Sequence, residues 1–173
     1  MSLDNIQLPA IIIQELYKNV LVDLQSTEPV INASTLTKIS YLGSNQQQVV
    51  IIVNHAETIY LPEEELNFLL GILAACKLSM ADVALINLCK NKELSYTTIA
   101  EQLKAKTILL FGVEPKALQL PLQFPNYQIQ NYNDRVYLSA PHLKKLEADK
   151  LEKTKLWNCL KQVFSISKIK KTG

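Results

Sequence analysis

Short apolar runs alternate with amphipathic segments through the middle of this chain. Val49–Val53, residues 83–88 and Thr107–Phe111 are mainly apolar and of strand length, and continuous runs of this kind are typical of strands covered on both faces. Between the runs lie two segments with helical spacing, one opening at Pro62 before three glutamates and one opening at Ser95. This alternation predicts an α/β protein, in which helices connect parallel strands.

Weaker patterns flank this central part. Residues 5–24 carry apolar side chains at four-residue spacing and predict a first helix, and residues 37–42 predict a short edge strand. Residues 127–139 predict a hairpin with an Asn-Asp turn, and residues 141–164 predict a final helix. The whole order predicts a three-layer α/β/α sandwich with a mostly parallel central sheet.

The composition bounds the class of protein. A length of 173 residues fits one domain, and we predict an α/β domain at residues 1–164 followed by a basic, flexible tail at residues 165–173. No apolar run approaches the roughly 20 residues that cross a bilayer, so we expect no transmembrane helix. The N-terminal residues carry acidic Asp4 where a signal peptide carries basic residues, so we expect no signal peptide. The three cysteines have no metal-ligand spacing, and their odd number argues against a disulfide framework. We therefore expect a cytoplasmic protein with no metal, no cofactor and no membrane contact.

The charge is distributed unevenly. Residues 141–173 hold nine lysines against three acidic residues, a net charge of +6, whereas the preceding residues carry a net charge of −4. A basic C-terminus suggests an anionic partner such as a phosphate backbone, and the alternative is a solvated helix face followed by a disordered lysine-rich tail. The lysines that we expect to contact nucleic acid are Lys144, Lys145, Lys168, Lys170 and Lys171.

Polar residues that follow the predicted strands are candidates for a crevice, because α/β proteins bind ligands at the carboxyl ends of their strands. These residues are Asn54, His55, Asn87, Gly112, Ser139 and His142. His55 stands near Glu57, and such a pair can act as a general base, although a histidine in a loop is usually only solvated. Ser139 is most simply interpreted as preceding a helix that begins at Pro141. The chain has no phosphate loop or nucleophile elbow, so we assign no catalytic residue.

Three further segments stand in order along the chain: a helix and strand at residues 69–91, a strand and glycine turn at residues 104–118, and a loop and helix at residues 138–164. In this order they resemble the uracil-DNA glycosylase superfamily, namely the helix and strand after its active-site loop, its next strand and glycine turn, and its final loop and helix. The catalytic loops differ, since HAETIY follows the strand VVIIVN in place of a loop rich in glycine and proline. Ser-Ala-Pro-His likewise replaces the family's His-Pro-Ser. The resemblance implies a glycosylase-like fold that is catalytically degenerate, and it favours a protein that is not an enzyme.

Four short motifs suggest a second resemblance: VVIIVN, GVEP at residues 112–115, SAPHL at residues 139–143 and a late Leu-Trp pair. With these motifs the chain resembles the psi-subunit family of the bacterial DNA polymerase III clamp loader. The tryptophan-rich N-terminal signature of that family is missing. This resemblance implies an accessory protein that binds replication or repair proteins, and DNA through its basic C-terminus. The alternative is a divergent DNA glycosylase or a nucleotide-binding enzyme that uses Asn54, His55 and His142.

Overall fold

The computed structural model describes residues 38–169, with side chains to residue 164. The helix predicted at residues 5–24 lies outside this range. Within it the strands are β1 Leu42–Gly43, β2 Val49–Val53, β3 Val83–Asn87, β4 Thr107–Phe111, β5 Ile129–Tyr132 and β6 Arg135–Ala140. The α-helices of the same range are α1 Glu63–Ala75, α2 Tyr96–Leu103, α3 Leu143–Ala148 and α4 Lys150–Ile169, and two 3-10 turns occur at Leu88–Lys90 and Pro115–Leu118.

The six described strands form one mixed sheet in the order β1-β3-β2-β4-β6-β5. β2 pairs in parallel with β3 and β4, and β4 pairs in parallel with β6. The edge strands β1 and β5 are antiparallel to their neighbours. At the centre, Ile51 of β2 lies between Leu85 of β3 and Leu109 of β4. The predicted α/β class is confirmed, and the three apolar runs form adjacent inner strands.

Successive residues of the inner strands enter two different hydrophobic clusters, because side chains alternate between the faces of a sheet. On one face Ile51 packs with Leu69 of α1 and Leu160 of α4. On the other face Ile52 packs with Ile99 of α2. Each of these fully buried side chains contributes about 2 kcal/mol of transfer free energy. Both faces of the sheet centre are covered, so the ends of the strands are where polar groups can reach solvent.

The helices that follow β2 and β3 begin where the sequence predicts. α1 starts after Pro62 with three glutamates in its first turn, where their charges complement the helix dipole. α2 starts after Ser95, whose side chain accepts a hydrogen bond from the backbone N–H of Thr98. The inward positions of α2, Ile99 and Leu103, are both buried. On α1 the helical spacing places Leu69, Leu70 and Leu73 on the inward side, but only Leu69 and Leu73 are buried and Leu70 is 38% exposed.

The C-terminal part departs from the single helix predicted at residues 141–164. Two helices, α3 and α4, meet at Asp149, whose backbone is extended (φ −115°, ψ 114°). Its carboxylate accepts hydrogen bonds from the backbone N–H groups of Leu151 at 2.8 Å and Glu152 at 3.4 Å. Asp149 therefore caps α4, and this local bond competes with continuing the first helix. The backbone of α4 continues to Ile169, beyond the residue where we expected the helix to end.

Two further predictions concern the sheet edges. The hairpin is confirmed, because Asn133 and Asp134 both adopt positive φ (50° and 57°), as a tight hairpin turn requires. The edge strand expected at residues 37–42 is reduced to Leu42–Gly43, antiparallel to β3.

Candidate functional site

The six crevice candidates fall into two groups at the carboxyl edge of the sheet. Asn54, His55 and Asn87 follow or end β2 and β3. Gly112, Ser139 and His142 lie at the ends of β4 and β6 and line one cavity of about 660 Å³. The first group does not line that cavity.

The side-chain amide of Asn87 organises the loop after β2. Asn87 is completely buried at the last position of β3. Its Nδ2 donates to the backbone oxygens of His55 at 2.7 Å, Thr58 at 3.0 Å and Ile59 at 3.2 Å. Its Oδ1 accepts from the backbone N–H groups of His55 at 3.0 Å and Cys89 at 3.2 Å. Donors and acceptor are thus all occupied by the protein's own backbone, which leaves no free amide group for a ligand.

His55 contacts a different carboxylate from the one that the sequence suggested. Its Nε2 lies 3.1 Å from Oε2 of Glu65, a buried residue in the first turn of α1. The two atoms are close enough for an ion pair when the imidazole is protonated, but they are not aligned as a hydrogen bond. Glu57, the neighbour in sequence, is exposed. Sequence reasoning missed Glu65 because acidic residues at a helix start already have a structural explanation.

The 3-10 turn after β3 is tied to the same loop. Cys89 Sγ donates to Asn54 Oδ1 at 2.7 Å, and Lys90 Nζ donates to the backbone oxygen of Ala56 at 3.1 Å. Asn91 Nδ2 donates to the backbone oxygen of Asn87 at 2.9 Å. These bonds join the ends of β2 and β3 into one interlinked polar layer.

Gly112 and His142 form the floor of the cavity. Gly112 directly follows β4 and has a φ of +64°, a conformation that favours glycine. A Cβ atom at this position would lie 2.2 Å from Nδ1 of His142, so the imidazole packs directly on the glycine backbone. The backbone N–H of Gly112 donates a hydrogen bond to the backbone oxygen of Ala140 at 2.9 Å, and this bond joins the ends of β4 and β6. Glycine is required here both by the backbone and by the neighbouring ring.

Ser139 has a different role from the helix start suggested by the sequence. It is buried within β6, and α3 begins only at Leu143 after His142. Its Oγ donates to Asn126 Oδ1 at 2.9 Å, and its backbone oxygen accepts from the N–H of Tyr127 at 2.8 Å. The hydroxyl therefore fixes the segment that forms one wall of the cavity. Asn126 had no sequence signal beyond following a proline.

The rim of the cavity carries mixed charge. Lys116 and Lys145 line it together with Glu114, and all three are exposed. Lys144 is exposed beside Lys145 on α3. Lys168 lies in α4, but its side chain is outside the described residues, as are Lys170 and Lys171 altogether. Of the five lysines expected to contact nucleic acid, two can therefore be located by their side chains.

The titratable groups of the described residues whose pKa values are shifted do not line this cavity. Burial raises the pKa of the Cys76 thiol to about 11 and also raises the pKa of Cys159. Burial, with a hydrogen bond donated to Glu152, raises the pKa of Tyr127, and the same bond lowers the pKa of Glu152. The two thiols stay protonated at neutral pH, which makes them poor nucleophiles. Among the described residues, no cluster of His, Cys, Asp and Glu side chains is arranged to hold a metal ion.

A second concave surface was not anticipated from the sequence. It lies between α1 and α4, has a volume of about 410 Å³ and is mainly apolar. We call it the α1–α4 groove, defined by Phe68, Gly71, Ile72, Leu156, Trp157 and Leu160. A contact between residues about ninety positions apart leaves no local sequence signal.

No helix within residues 38–169 combines the length and apolar character needed to span a membrane. Comparison with known proteins finds no family whose sequence profile matches this chain, and no curated protein sequence matches it.

Proposed function

We propose that this chain is a non-catalytic accessory protein of DNA replication or repair that acts in the cytoplasm. In this proposal the fold is a three-layer α/β/α sandwich of the uracil-DNA glycosylase-like kind, and the psi subunit of bacterial DNA polymerase III is the functional analogue. The protein works by binding replication or repair proteins, and DNA through its basic C-terminal part.

The observation that carries this proposal is the way in which the strand-end polar groups are bonded. Asn87, the most buried of them, directs every polar atom of its side chain at the backbone of its own molecule. The Ser139 hydroxyl donates to Asn126, and His142 packs on Gly112. Catalysis requires groups that touch the reacting atoms, whereas the Asn87 and Ser139 side chains hold loops in place. Their arrangement favours a scaffold that acts through its surface.

The DNA component is supported by the charge on α3. Lys144 and Lys145 are exposed neighbours, and Lys145 also borders the cavity. Lysine side chains that neutralise phosphates release counterions, so true backbone contacts weaken steeply as the salt concentration rises. For duplex DNA, the logarithm of the binding constant falls with the logarithm of the salt concentration, and each phosphate contact contributes about −0.9 to that slope.

The DNA component is tested by measuring affinity for single- and double-stranded DNA at about 50 mM and about 200 mM salt. We expect the double variant Lys144→Gln and Lys145→Gln to flatten the duplex slope by about two, because it removes two contacts. The matched control is Lys104→Gln with Lys106→Gln, which removes the same charge from exposed lysines before β4 and should leave the slope unchanged. Equal slopes for both variants, or no binding by the native chain, would remove DNA from the proposal.

One observation favours the alternative of a divergent DNA glycosylase or a nucleotide-binding enzyme. The cavity of about 660 Å³ lies within the range of small-molecule sites and holds His142, Lys116 and Lys145 together. This alternative predicts base excision or nucleotide binding that depends on the strand-end histidines. Our proposal predicts no excision.

A further inference from the structure

The α1–α4 groove is an apolar surface whose floor is part of the core. Leu156 and Leu160 are buried at 3% and 1% exposure, and Phe68, Ile72 and Trp157 are half-buried around them. Large side chains that remain partly accessible around a buried floor form the kind of groove that accepts an amphipathic helix.

Gly71 shapes this groove in a way that folding alone does not require. It lies in the middle of α1, where glycine is less favourable for the helix than alanine. A Cβ atom added to Gly71 would meet nothing within 4 Å, so no packing contact of the described chain excludes a side chain there. A missing side chain at this position lets another backbone approach α1 closely.

The α4 side of the groove is positively charged. Lys153 Nζ lies 5.3 Å from the ring centroid of Phe68, and Lys161 Nζ lies 5.3 Å from that of Trp157. Lysines in this position cover an aromatic face while the ammonium remains in water. Among the described side chains neither lysine forms an ion pair. Two cations are therefore placed beside the apolar surface, where acidic residues of a bound partner can meet them.

We propose that the α1–α4 groove binds an amphipathic helix of a protein partner, one with acidic residues alongside its apolar stripe. The apolar stripe packs on Phe68, Ile72 and Trp157, and the helix backbone comes closest at Gly71. The acidic residues lie against Lys153 and Lys161. This inference rests on the proposed function, because it names the surface and the class of partner through which an accessory protein acts.

The single tryptophan of the chain makes the groove directly observable, since Trp157 lies in it. The probe is a synthetic helical peptide with leucines at positions i, i+3, i+4 and i+7 and glutamates beside them. The comparison peptide has the same leucines with lysines beside them. We expect a saturable blue shift of Trp157 emission, with binding of the acidic peptide about tenfold tighter, because two exposed ion pairs together supply about that factor.

Two matched variants locate the binding. Gly71→Gln inserts a side chain into the groove, and Ala74→Gln adds the same side chain at an exposed position of α1 that does not line it. We expect Gly71→Gln to weaken the acidic peptide at least tenfold and Ala74→Gln to leave it unchanged. Circular dichroism confirms that both variants remain folded. Equal affinities of these variants, equal affinities of the two peptides, or no emission shift would each overturn the proposal.

A second copy of the chain is the competing occupant. Concentration-dependent association of the native protein, abolished by Gly71→Gln and not by Ala74→Gln, would assign the groove to self-association and overturn the proposal. The groove experiment can fail without the proposed function failing. DNA affinity and uracil excision test the proposed function at other surfaces, and neither measurement involves the groove.

Discussion

Asn87 shows how one buried side chain determines the character of a strand end. Asparagine combines two N–H donors with an oxygen that has two lone pairs. The loop after β2 accepts from both donors and donates once to the oxygen, and the N–H of Cys89 in the turn after β3 donates to it as well. The sequence indicated that Asn87 lies at the end of a buried strand and predicted an accessible polar group there. It could not indicate the direction of the amide, since all its hydrogen bonds except the one from Cys89 join it to residues about thirty positions earlier in the chain.

The role of Asn87 is tested by Asn87→Asp, which keeps the shape and removes the Nδ2 donors. The new oxygen would face the carbonyls of the loop, so we expect the free energy of unfolding to fall by about 3 kcal/mol. Urea denaturation measures the change. Asn131→Asp, at an exposed position of β5, is the matched control and should change the free energy of unfolding by less than about 0.5 kcal/mol. Similar losses in both variants would contradict the assigned role.

The helices and strands differ in how far the sequence predicts them. Continuous apolar runs mark β2 and β4. Pro62 marks the start of α1, and the Ser95 cap marks the start of α2. These local signals determine where the four elements begin. The break between α3 and α4 was missed because apolar residues continue on both sides of it. Asp149 followed three residues later by Glu152 is a capping pattern, and it was the available signal.

The cap between these helices is tested by Asp149→Ala. Loss of the bonds to the N–H groups of Leu151 and Glu152 should lower the free energy of unfolding by about 1 kcal/mol. Glu147→Ala, exposed on α3, is the control and should change it by less than about 0.5 kcal/mol. Thermal and urea unfolding of the two variants measure the difference. An equal or smaller loss for Asp149→Ala would show that packing alone sets the start of α4.

At the scale of the whole molecule, the sheet brings together groups that are distant in sequence. The α/β class follows from the alternation of elements, but the order β1-β3-β2-β4-β6-β5 depends on long-range pairing that local patterns do not encode. The same limit explains why three of the crevice candidates share a cavity and three do not. It also explains why the groove between α1 and α4 became visible only in the folded chain. Polar residues could be assigned to strand ends, whereas their partners could not.

The central claim is that the carboxyl edge of this sheet is a structural framework without glycosylase chemistry. Its most direct test measures uracil release from single- and double-stranded uracil-containing DNA by the full chain, with His55→Ala and His142→Ala measured in parallel. We predict that release by the native protein equals the protein-free blank, and that both variants give the same value. Release above the blank that disappears in either variant would contradict the account and identify the chain as a divergent glycosylase.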